Sequence, residues 1–123
     1  MVLFFLLANV LAQSPVVETK IVKSKTEQCI ENSGGVTAKM LDCANDEFKE
    51  YDTELNVTYK KLLKEKSKFQ QNALKKAQQA WIRFRDAECH YYADPDAGTS
   101  AALDLKSCVI DLTKKRVLDL KKL

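Results

Sequence analysis

Between positions 41 and 62, Leu41, Ala44, Phe48, Tyr51, Leu55, Tyr59 and Leu62 recur at steps of three and four. That period is one face of an α-helix; a half-buried strand would repeat every second residue. The run predicts a helix over 38–66, with Thr37 as its N-cap behind the helix-breaking pair Gly34-Gly35. A second helix is expected over 70–92. Its apolar face reads Leu74, Ala77, Trp81, Phe84 and Glu88, flanked by Ala73 and Ala80, and Asp94-Pro95-Asp96 with Gly98 ends it. A third is expected over 101–122, capped by Thr99 or Ser100, with Leu105, Val109, Leu112 and Leu120 on one side. Three glycines and two prolines in 123 residues are too few for the turns of an all-β domain. The short connections make neighbouring helices antiparallel. The expected fold is therefore all-α, a small antiparallel three-helix bundle over 37–123, preceded by an extended segment over 13–36.

The first twelve residues, MVLFFLLANVLA, form an uncharged apolar run. It is too short to span a bilayer and ends in small residues before Gln13, the pattern of a secretory signal peptide over 1–12. No cysteine follows closely, so a lipid-anchored form is not expected. After cleavage no stable membrane insertion is expected, and the protein would be periplasmic or secreted.

Cys29, Cys43, Cys89 and Cys108 suit that compartment. An even number in a small exported chain favours two disulfides, and four cysteines allow three connectivities. Cys29–Cys43 and Cys89–Cys108 are favoured because they close the shorter loops. The separations are unlike the close pairs of a zinc site, so no metal is expected.

The net charge of +3 hides a dipole. Residues 42–54 carry six acids against Lys49, and residues 86–104 carry five acids with no Lys or Arg. Residues 60–76 carry seven lysines against Glu65, and residues 113–122 carry five bases against Asp119. In an antiparallel bundle the acids share the cysteine end and the lysines the other. Solvated helix faces and helix-dipole complementarity account for much of this pattern. Read functionally, the acidic end suits a cationic partner, or the basic end an anionic surface.

Nothing points to catalysis. His90 is the sole histidine and has no nucleophile motif beside it, and there is no Gly-rich phosphate loop. No cofactor is implied. Nucleic acid is a poor fit, because the basic segments lack interleaved aromatics. Asn56-Val57-Thr58 matches a glycosylation sequon but falls inside a helix.

Three stretches resemble the LprI-type lysozyme-inhibitor domain of bacterial envelope proteins. Asp52 to Tyr59 matches D-x-x-L-N-x-x-Y. Gln78 to Cys89 matches Q-x-x-W-x-x-x-R-D-x-x-C. Cys108 to Leu120 matches C-x-x-x-x-T-x-x-R-x-x-x-L. The resemblance covers 29–120 and implies an exported helical, disulfide-bonded protein, with inhibition of c-type lysozyme for some members. The signature residues Leu55, Asn56, Tyr59, Trp81, Arg85, Asp86 and Arg116 read first as structural. Trp81 lies on the apolar stripe, and Leu55, Asn56 and Tyr59 are expected to fix the contact between the first two helices. Arg85 and Arg116 are expected in buried ion pairs with Asp52 or Asp86.

The expected function is that of a monomer that binds and inhibits c-type lysozyme through its acidic end. The loop clamped by Cys89–Cys108 would present His90, Tyr91, Tyr92, Asp94 and Asp96 to the cationic enzyme, unless the tyrosines merely cap the core. The alternative is an envelope-interaction or stress-resistance module with no lysozyme target, acting through its lysines.

Overall fold

The computed structural model describes residues 22–123, and the expected signal peptide lies outside them. Four α-helices follow one another: α1 (Lys25–Asn32), α2 (Thr37–Lys64), α3 (Lys68–His90) and α4 (Ala101–Lys121), with a 3-10 turn at Pro95–Ala97 before the last. No strand occurs among the described residues. The three expected helices are present, and α1 is an addition inside the segment expected to be extended. Its start is a capping box: the Ser24 hydroxyl accepts from the Glu27 amide at 3.1 Å, and the Glu27 carboxylate accepts from the Ser24 amide at 3.2 Å. α1 buries none of its side chains. The Cys29–Cys43 disulfide and a Lys25–Glu50 ion pair of 3.0 Å attach it to α2. Gly34 and Gly35 turn the chain into α2 with φ of 62° and 76°, which only glycine adopts without strain.

Thr37 is the first residue of α2 rather than its cap; Val36 holds the cap position without a side-chain bond. α3 begins two residues earlier than expected, behind a second capping box of Ser67 and Gln70. The Gln71 amide donates to the Leu63 carbonyl at 2.8 Å and to the Lys66 carbonyl at 3.1 Å, satisfying the last turn of α2 and closing the α2–α3 hairpin. Ser100 stands at the start of α4, but its side chain makes no cap bond there.

With α3 antiparallel to both neighbours, α2 and α4 run parallel. They form the principal interface, whereas α2 touches α3 sparingly. Glu47–Lys114 at 3.0 Å and Glu54–Lys121 at 2.9 Å join α2 to α4 with one register. Leu55 and Leu62 of α2, Leu74 of α3, and Val117 and Leu120 of α4 form the core, with Tyr59, Leu63 and Trp81 packed against it. A buried Leu contributes about 1.5–3 kcal/mol. α4 packs on both other long helices, so it buries Ile110, Thr113 and Val117 besides the expected Val109 and Leu120, and leaves Leu105 and Leu112 half-buried.

α3 differs most from expectation. Its buried residues are Leu74, Gln78, Arg85 and Cys89, with Trp81 half-buried. Ala77, Phe84 and Glu88 face solvent instead, and Phe84 is 54% exposed. The helix is turned by about one residue, because Cys89 must reach Cys108 and two polar side chains have partners on α4. The opposite turn would bury the Glu88 carboxylate, a costly step for a charge left unpaired.

Candidate partner-binding end

The Cys89–Cys108 disulfide joins the end of α3 to the second turn of α4, with Cα atoms 5.5 Å apart and Cys89 only 1% exposed. Both favoured pairings are the observed ones, and no cysteine is free among the described residues. The bridge fixes both ends of the segment over 90–100. The Tyr92 amide donates to the Cys89 carbonyl at 3.1 Å, and the Ala93 amide to the His90 carbonyl at 2.9 Å. An Asp94 carboxylate oxygen then accepts from the Asp96 amide at 2.9 Å, and Pro95 starts the 3-10 turn. Gly98, at φ 80°, leads the chain towards α4.

Tyr91 and Tyr92 meet edge to face, with ring centroids 5.2 Å apart. Tyr91 is 82% exposed, and Tyr92 is also exposed, so neither caps the core. His90, Asp94 and Asp96 are exposed as well. One α3 face continues from this loop: Phe84 and Glu88 lie seven and three residues before Tyr91 on the same exposed side. Phe84 is the contact-capable residue that periodicity assigns to the core.

The acidic end is partly neutralised within the fold. Glu47, Glu50, Glu54 and Asp86 are paired with Lys114, Lys25, Lys121 and Arg85. Asp42, Asp46, Glu88, Asp94, Asp96 and Asp104 have no ion-pair partner among the described residues. Burial works to lower the pKa of Lys114. The hydrogen bond and charge of Glu47, aided by Tyr51 and Asp111, outweigh it and hold the ammonium above its ordinary range.

The signature residues do a different job. Trp81 meets two guanidinium groups, Arg85 at 5.3 Å and Arg116 at 5.6 Å from its ring centroid. Arg85, 9% exposed, donates through Nε to Asp86 at 2.9 Å and reaches the Thr113 hydroxyl at 3.4 Å. Thr113, fully buried, donates to the Val109 carbonyl at 2.6 Å. Arg116 donates to the Gln78 amide oxygen at 3.0 Å rather than to a carboxylate. Burial lowers its pKa, against the opposing charge of Asp119. Arg85 therefore meets Asp86, but not in the buried ion pair expected, because the Asp86 side chain is 59% exposed, and Asp52 pairs with neither arginine. Gln78 and Thr113, present in the motifs but not singled out there, complete the polar seam between α3 and α4. Leu55 joins α2 to both other long helices, while Asn56 is exposed beside a shallow groove between α2 and α3.

The geometry defines a helical domain in which Trp81, Arg85 and Arg116 line the seam between α3 and α4, with an exposed aromatic and acidic loop bounded by a disulfide at one end. The chain belongs to the family described as lysozyme inhibitor LprI, whose model matches residues 29–120. An uncharacterized protein of Rhizobium meliloti (strain 1021) is 30% identical over 95 residues, which cover 66% of this chain and 68% of that protein. No solved structure matches the chain. Among the described residues, no helix is long and apolar enough to cross a membrane, and no group of three His, Cys, Asp or Glu could hold a metal ion.

Proposed function

We propose that this protein is exported and inhibits c-type lysozyme by docking its disulfide-clamped end on the enzyme. Membership of a lysozyme-inhibitor family supplies the target class. Two disulfides suit an oxidising compartment outside the cytoplasm. The observation that carries the reading is Tyr91, a large aromatic left 82% exposed on a segment fixed at both ends. An aromatic ordered before binding loses little conformational freedom on docking. Tyr91, Tyr92 and Phe84 form the apolar centre of the contact, and Glu88, Asp94 and Asp96 form its acidic rim. c-type lysozymes are cationic, so the rim speeds association and makes it salt-sensitive.

Asp94 is unsuited to a charge test because its carboxylate also holds the 3-10 turn. Glu88 and Asp96 are exposed and free of that duty. Glu88→Lys/Asp96→Lys should weaken inhibition at low salt by about tenfold or more, chiefly through slower association. Tyr91→Ala should weaken it comparably through faster dissociation. Surface-binding kinetics on immobilised lysozyme separate the two. Unchanged inhibition in both variants would remove this end from the contact.

A further inference from the structure

The opposite end of the bundle takes no part in that contact, yet it has a chemistry of its own. We propose that it docks on the surface of an anionic phospholipid bilayer, with Phe69 as the side chain that enters the interface. Three observations meet there. Lys60, Lys61, Lys64, Lys68, Lys75 and Lys76 are exposed, with no acidic partner among the described residues. Phe69, in the first turn of α3 directly beside Lys68, is 82% exposed. An open recess of about 290 Å³ lies between this hairpin and Leu123, walled by Leu62, Ala73, Leu74 and Ala77 and edged by Lys66 and by Gln70, the residue after Phe69.

A solvated lysine face explains the charges but not a phenyl ring held out in water beside Lys68. A soluble acidic polymer would satisfy the lysines alone. A bilayer surface supplies both halves, with phosphates at headgroup level for the ammonium groups and an apolar layer beneath for the ring. The attraction accumulates with each lysine near the surface. One aromatic side chain adds to it without making attachment irreversible. Lysine stems can lie along the apolar layer while their charges remain among the headgroups. The two ends are separated by the length of α2, whose 28 residues span about 40 Å. A membrane-docked molecule would therefore keep Tyr91 directed away from the bilayer and available to a soluble enzyme.

The test is co-sedimentation of the oxidised protein with phosphatidylcholine vesicles containing phosphatidylglycerol, and with phosphatidylcholine alone. Phe69→Ser and Lys64→Glu/Lys68→Glu are compared with the parent, and circular dichroism confirms their helicity. All three share the same N-terminal residues, so differences between them report on this end. The parent should sediment with the anionic vesicles only. Phe69→Ser should weaken that binding several-fold and Lys64→Glu/Lys68→Glu by about tenfold or more. Both variants should inhibit lysozyme as the parent does. Equal binding to both vesicle types would overturn the proposal, as would no binding to either. Parental binding by Phe69→Ser, matched by equal affinity for dextran sulfate, would show an end that reads charge alone, and this too would overturn it.

Discussion

Replacing Cys89 and Cys108 together by serine is expected to remove about 2–4 kcal/mol of stability. For a domain of this size that lowers Tm by roughly 10–25 °C. The bridge closes the chain across a separation of 19 residues, so its loss frees the unfolded ensemble. It also anchors the face of α3 that packs on α4, since Cys89 is among the most buried residues. The functional effect follows from the same contact. Without the bridge, the segment carrying Tyr91 loses its fixed ends and must be ordered on binding, so inhibition should fall by about tenfold or more even where the variant is folded. Replacing Cys29 and Cys43 frees α1 instead. α1 buries none of its side chains, so proteolysis should then attack 22–36 while the three long helices keep their protection. Calorimetry and the inhibition assay on the first variant check the prediction. A parental Tm together with parental inhibition would remove the clamp from both roles.

Trp81→Ala is expected to cost about 3 kcal/mol, the low end for a tryptophan because the ring is half-buried. The ring packs against the apolar core at the α3–α4 seam and has two guanidinium groups at 5.3 Å and 5.6 Å from its centroid. Truncation removes the nearer of the two rings that the buried Arg85 guanidinium lies over, leaving Phe48 at 5.8 Å. Trp81→Phe keeps a π-face and should recover a good part of the loss. Urea unfolding must be followed by circular dichroism, because Trp81 is the sole tryptophan. A change below about 1 kcal/mol for Trp81→Ala would mean that the seam is held by Thr113 and Gln78 alone.

The long helices were legible because their apolar residues recur at helical steps and their connections are short. The disulfide pairing was legible because the favoured bridges close the shorter loops, across separations of 14 and 19 residues. α1 escaped the reading since apolar periodicity reports burial, and α1 buries nothing. Its only sequence signal is Ser24 with Glu27 three residues on, a capping box. The orientation of α3 escaped for a different reason. Counting apolar residues favours Ala77 and Phe84, whereas the buried face holds Gln78 and Arg85, whose partners Thr113 and Arg116 lie more than 25 residues away on α4. A polar residue in a core is paid for by a specific partner, and that partner is invisible to a local pattern. The motifs contained all four residues, but their spacing alone does not say that they meet. The loop residues stand together in the sequence as candidates, while the exposure of Tyr91 emerged only from the turn that carries it.

The most direct measurement is inhibition of c-type lysozyme by the oxidised protein, titrated at low and at moderate salt. Dose-dependent inhibition that weakens as salt rises is the predicted result, because charge on the acidic rim steers association and salt screens it. No inhibition at roughly tens of micromolar, at either salt, would contradict the proposed function.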